Sequence, residues 1–211
     1  MLISYRKRSD WDLQNELGKV SVRWFLILTV SAYFYYLLKN NVSGDALFNT
    51  LNYHYVGGLI LTNIILNLWF HLFLSRRRSS NMGISAAFKY ASMIFDLIVI
   101  TLLLLPTGGK ESMFFLLYLI VILSNGIRYG MRLSIIGLLV FNFLYVAVLF
   151  YQFYPDLTIP SFQKEVLKII GIWFVGIYTG YLSRRFEILH NEVEKYKLMI
   201  QKMEAKSENE K

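Results

Sequence analysis

The stretch GIWFVGIYTGYLSRRFEILHNEVEKYKLMIQKM, residues 171–203, decides the fold. An apolar run passes into a heptad without a break: Leu182, Phe186, Leu189, Val193, Tyr196, Ile200 and Met203 are spaced 4, 3, 4, 3, 4 and 3, the a/d rhythm of a left-handed coiled coil. A membrane helix that continues as a stalk leaves the bilayer on the same side in every copy, so a second copy is expected to pair with it in parallel. Tyr196 weakens one layer, and three heptads are marginal alone. Dimerisation is therefore expected to draw on the membrane bundle or on a domain beyond the stalk. No folded domain follows within the 211 residues, so the stalk is expected to drive a missing output domain or one supplied by a partner.

Working outward, the chain is 55% hydrophobic and 17% aromatic with three prolines, a composition of the membrane class. Zero cysteines remove disulfides, thiolate metal sites and cysteine nucleophiles. The net charge of +8 lies beside apolar spans and forms no separate basic patch, which argues for membrane topology and against nucleic acid. Asp10, Asp12 and Glu16 interrupt what would be the n-region of a signal peptide, so the first span is expected to stay as an anchor.

About 20 apolar residues cross a bilayer core, and six segments are candidates: 20–38, 54–74, 86–105, 113–127, 132–153 and 167–183, the fourth being the shortest. Arg6, Lys7, Arg8, Lys19, Arg23, Arg76, Arg77, Arg78, Lys89, Arg128, Arg132, Arg184 and Arg185 fall on one side of such a bundle. The other side carries Lys39, Lys110, Lys164 and Lys168 mixed with Asp45, Glu111, Asp156 and Glu165. The positive-inside rule then places both termini in the cytoplasm. Tyr33, Tyr35, Tyr36, Tyr53, Tyr55, Tyr151 and Tyr154 gather at the opposite, outer ends, where amphipathic rings sit at headgroup level. The expected fold is all-α and integral to the membrane. Its parts are a basic amphipathic segment over 1–19, a six-helix bundle over 20–183 and a coiled-coil stalk over 184–211 whose apolar register begins at Leu182. Ser9 to Val22 reads either as a helix lying in the inner interface or as a simple anchor. The 39–53 loop holds an Asn41-Val42-Ser43 sequon, relevant only in a glycosylating host. With short loops, any stimulus is read within the bilayer or at its outer face.

Polar groups inside the spans are the candidate binding residues. Asp96 sits near the middle of the third span, where a carboxylate costs about 2.5–3.5 kcal/mol on insertion scales. Asn63, Asn67 and His71 recur every four residues on the second span and share a helical stripe. Asn142 and Asn125 lie on the fifth and fourth. Two readings stand side by side: these groups line a small polar cavity for a lipid or other hydrophobic ligand, or they bond helices together. His71 and Asp96 are further candidates to hold a cation or share a proton. No cofactor is expected. Haem b is the alternative that histidines in a small bundle raise, yet His54 and His71 stand 17 residues apart, about 25 Å along a helix, and His190 is in the stalk. No hydrolase elbow is present, no catalytic residue is identified, and no internal repeat points to a transporter. A haem- or quinone-binding cytochrome and a small transporter remain the competing classes.

The fourth span ends in Ser124-Asn125-Gly126-Ile127-Arg128-Tyr129-Gly130-Met131-Arg132. Gly126 and Gly130 relax a tight turn, while Arg128 and Tyr129 suit the interface. The turn reads as a structural hairpin or as an element that packs on the stalk and couples bundle to output. This run resembles the Gly-Asn-Gly-Phe-Arg-Tyr-Gly signature of polytopic input domains in bacterial sensor kinases of the diffusible-signal-factor type, also attached to diguanylate and adenylate cyclases. Asn125, Gly126, Arg128, Tyr129 and Gly130 match, with Ser124 and Ile127 departing. Asp96 falls where that family tends to carry Asp, and Gly180-Tyr181-Leu182-Ser183-Arg184-Arg185 is similar to its segment entering the stalk. The resemblance implies a multi-pass receptor or anchor in the bacterial inner membrane. It would itself be no enzyme, and would regulate a cytoplasmic cyclase or histidine kinase. The family's sensing segment outside the first span has no counterpart here, since the N-terminus is basic and expected inside.

Overall fold

A computed structural model describes residues 2–39, 50–80, 84–153 and 162–209. These form six α-helices: α1 (Leu2–Lys39), α2 (Thr50–Ser79), α3 (Ala86–Leu104), α4 (Leu116–Tyr129), α5 (Met131–Phe153) and α6 (Phe162–Asn209). Apolar chain surrounded by hydrocarbon must satisfy its backbone within each segment, and helices do so. The boundaries follow from local chemistry. Ser85 caps α3 by accepting from the Phe88 amide at 3.3 Å. Pro106 follows its end, and three 3-10 turns, Leu105–Thr107, Gly109–Glu111 and Met113–Phe115, lead into α4.

Five segments are long and apolar enough to cross a membrane: Trp11–Tyr36, His54–Ser79, Ala86–Thr107, Met131–Gln152 and one within Gln163–Gln201. The chain is thus a multi-pass, all-helical membrane protein. The fourth expected span is the exception. At 14 residues, α4 is about 21 Å long, short of the roughly 30 Å core. Side chains satisfy the turns that precede it. Gln152 accepts from the Lys110 amide at 2.8 Å and donates to the Gly108 carbonyl at 3.1 Å, and Lys168 Nζ donates to the Lys110 carbonyl at 2.6 Å.

Three buried apolar clusters hold the helices together, one of them Val30, Phe34, Val56 and Leu103 from α1, α2 and α3. Between α3, α4, α5 and α6 the core is built on Met93, Leu97, Tyr118, Phe141 and Tyr145, none of them exposed. Between α1, α2 and α3 it is built on Leu13, Val20, Phe70 and Leu74 with Phe88 and Phe95 against them. Ser9 to Val22, read as an interfacial helix or as a simple anchor, lies within α1, which runs unbroken through this segment. Leu13 and Val20 bury in the core, and Glu16 and Lys19, 1% and 5% exposed, find partners inside the bundle. Paired charge can stay buried where solitary charge cannot. The sequon at Asn41, and Tyr154 and Asp156, lie outside the described residues.

Helix α6 continues 48 residues without interruption. Phe186, Leu189, Val193, Tyr196, Ile200 and Met203 are all exposed along it, from 49% to 65%. Gly176 and Gly180 serve contacts within the chain: a Cβ on Gly176 would come 2.9 Å from the Leu138 side chain, and one on Gly180 3.0 Å from Met131 Cα.

Candidate functional site

Asp12, Glu16, Lys19 and Arg23 follow one another at steps of 4, 3 and 4 on α1, and Lys89, Ser92 and Asp96 at steps of 3 and 4 on α3. Each set therefore forms one stripe, and the two stripes meet rung by rung. Lys89 Nζ lies 2.6 Å from Asp12 Oδ2. Glu16 takes Lys19 Nζ at 2.8 Å on Oε1 and the Ser92 hydroxyl at 3.1 Å on Oε2. Arg23 donates to Ser92 Oγ at 2.8 Å and to both oxygens of Asp96, at 2.6 and 3.0 Å. Its guanidinium also lies 4.7 Å from the centre of the Phe70 ring. Seven residues thus form a charge ladder whose members answer one another. The 4-3-4 charge spacing on α1, opposed by the 3-4 spacing on α3, was the sequence signal for it.

The α4–α5 turn docks on this ladder. Gly130 alone separates the two helices, and its amide donates to the Gly126 carbonyl at 2.9 Å. With φ 81° and ψ −170° it occupies a region open essentially to glycine. The sharp turn sends Arg128 Nη1 to the Asn15 carbonyl at 3.1 Å and the Tyr129 hydroxyl to Glu16. Lys19 and Lys89 stand over the Tyr129 ring at 4.6 and 4.8 Å, a double cation–π contact. From its other side the turn touches α6. Ser183 Oγ donates to the Ile127 carbonyl at 3.1 Å, and a Cβ on Gly126 would stand 3.0 Å from Thr179 Cγ2. The turn is therefore held between the ladder and the part of α6 where the apolar heptad begins.

A cavity of about 120 Å³ lies between α1, α2, α3 and α4. Asn63, Asp96 and Asn125 line it, together with Lys19, Arg23 and Arg128. The other expected site residues lie elsewhere. Asn67 is buried and donates to the Val20 carbonyl at 3.3 Å. His71 is exposed on α2, while both Asp96 oxygens are bound by Arg23. The pairing of His71 with Asp96 around a cation or proton is thereby replaced by an Arg23–Asp96 ion pair. Among the described residues no cluster of three His, Asp or Glu offers a metal site. Asn142 Oδ1 is buried on α5 without a hydrogen-bond partner among the described residues.

No family model, curated protein or solved structure matches this chain.

Proposed function

We propose that this chain is the membrane input half of a bacterial signalling protein, set in the inner membrane with both termini cytoplasmic and α4 as the short member of six spans. Two copies pair in parallel through Leu182, Phe186, Leu189, Val193, Tyr196, Ile200 and Met203. A lipophilic or intramembrane stimulus biases the bundle between two packings, and the difference in free energy between them is what reaches a cytoplasmic cyclase or histidine kinase. The observation that carries this reading is the α4–α5 turn, bonded to the charge ladder through Tyr129, to the α1 backbone beside it through Arg128 and to α6 through Ser183. A shift of α1 against α3 displaces the turn, and the turn bears on α6 next to the start of its exposed apolar seam. The five-residue resemblance at the same turn points the same way.

The test is a fusion of the chain, in heptad register after Met203, to a diguanylate cyclase output domain. Insertions of one to seven residues at the junction should raise and lower output with heptad periodicity, and Tyr129→Phe should shift the level at constant expression. Output indifferent both to the insertion phase and to Tyr129→Phe would leave only an anchor.

A further inference from the structure

The cavity between α1, α2, α3 and α4 is the size of one ring. Its volume of about 120 Å³ is a little under the roughly 150 Å³ that encloses benzene in an engineered protein cavity. One end is apolar, formed by residues such as Leu26, Val30, Leu103 and Leu117, and the cavity opens sideways where Val22 and Ile120 are each 46% exposed. An apolar entrance admits an uncharged molecule arriving from the hydrocarbon. Two fused rings or a long alkyl chain exceed this space, so what enters is monocyclic, and any chain attached to it stays in the entrance.

The polar end sets the hydrogen bonding. Lys19, Arg23 and Asp96 line it but are spent on the charge ladder, and Arg128 is spent on the Asn15 carbonyl. Asn63 on α2 and Ser124 on α4 also line it, half-buried, and neither has a hydrogen-bond partner among the described residues. An amide left unpaired within a membrane span costs free energy. Both side chains donate and accept, so a hydroxyl, which does both, matches them. Water is a poor substitute, because each molecule needs about two to four polar partners and most of this wall is apolar. The cations select the rest of the ligand. The face of an aromatic ring carries the negative part of its quadrupole and is attracted to Lys or Arg, as an aliphatic ring is not.

We propose that this cavity binds a neutral, hydroxylated single aromatic ring, with its hydroxyl on Asn63 and Ser124. Two sources share that chemistry: a free phenol dissolved in the bilayer, and the one-ring quinol head of a prenylated membrane lipid whose tail leaves past Val22 and Ile120. Occupancy is independent of the input-domain reading; only the ring's role as the stimulus rests on it.

The full chain in lipid nanodiscs is titrated by fluorine NMR with para-fluorophenol, fluorobenzene, fluorocyclohexanol and a fluoronaphthol, against empty nanodiscs. The phenol is expected to bind about tenfold tighter than fluorobenzene and about threefold or more tighter than fluorocyclohexanol, while the naphthol is excluded. Asn63→Leu and Ser124→Ala should each narrow the phenol's advantage and spare fluorobenzene, which loss of the fold would not do. Val22→Trp, on the exposed mouth, should block every ring without changing the unfolding temperature. Displacement of the phenol by prenylhydroquinone at lower concentration than by hydroquinone identifies a membrane quinol as the source, and the reverse order identifies a free phenol. Equal binding of fluorophenol and fluorobenzene, naphthol binding as tight as phenol binding, or binding untouched by Val22→Trp overturns the site. Absence of ring binding beside an intact heptad-phase response of the fused output overturns the site and leaves the input reading standing; ring binding with an output indifferent to insertion phase does the reverse.

Discussion

The Arg23 guanidinium grips the Asp96 carboxylate in a two-pronged pair, Nε to Oδ1 at 2.6 Å and Nη2 to Oδ2 at 3.0 Å, with side chains 10% and 15% exposed. Parallel N–H donors on one planar group match a carboxylate in both distance and direction. Removing either partner strands the other in a poorly solvated site. Asp96→Leu alone is expected to destabilise the bundle by about 3–5 kcal/mol, read as a shift in the midpoint of a denaturing-detergent titration. The double variant Arg23→Met, Asp96→Leu should recover most of that loss. Additive losses in the double-mutant cycle would show that the pair is not coupled.

Tyr129 ties the turn to the ladder by a hydroxyl donated to Glu16. Glu16 keeps Lys19 and Ser92 when that hydroxyl is removed. Tyr129→Phe should therefore cost about 1.5–3 kcal/mol, as for one hydrogen bond to a charged group, while retaining the ring between Lys19 and Lys89. The same titration checks the magnitude. Faster proteolysis at the α4–α5 turn, with other cleavage sites unchanged, would place the loss locally.

Glycines in this chain are expected to divide by backbone and contact. Gly130 holds a positive φ of 81° with ψ near −170°, so Gly130→Ala should cost about 1–3 kcal/mol. Gly171 lies within α6, and a Cβ there would meet nothing within 4 Å. Gly171→Ala should stabilise by about 0.5–1 kcal/mol. Opposite signs for the two substitutions in thermal unfolding are the result to look for.

Asn142 presents the reverse case to Asp96. Its buried Oδ1 has no hydrogen-bond partner among the described residues, and it lies on α5, away from the cavity lining. Replacing an unsatisfied buried acceptor by an apolar group of similar size is neutral or favourable. Asn142→Leu is expected to leave stability unchanged or raise it by up to about 1 kcal/mol, and a clear loss would reveal a partner at that position.

The absence of cysteine from the sequence makes the stalk easy to probe. In a parallel dimer Leu189→Cys and Val193→Cys sit in the seam and should form disulfides with their symmetry mates in membranes under mild oxidation. Leu198, 55% exposed, falls outside the 4-3 register, and Leu198→Cys should remain monomeric on a non-reducing gel. Equal cross-linking at all three positions would indicate collision without a defined seam.

Fold class was legible in residue order because apolar runs near 20 residues long have few ways to satisfy their backbone in hydrocarbon. The 182–203 heptad, the shortness of the fourth span and the tight turn at Gly130 were legible for the same local reason: period and turn chemistry belong to one segment. Within a helix the sequence also determined which polar residues share a stripe, as for Asn63, Asn67 and His71. Periodicity is silent on how one helix is rotated and slid against another. That depends on packing between side chains distant in sequence, such as Phe70 against Phe88 and Phe95 at ring separations of 5.5 and 5.7 Å. Only tertiary structure therefore decided that Asp96 meets Arg23 while His71 faces outward, that Glu16 and Lys19 are buried in a ladder, and that one turn touches both that ladder and α6.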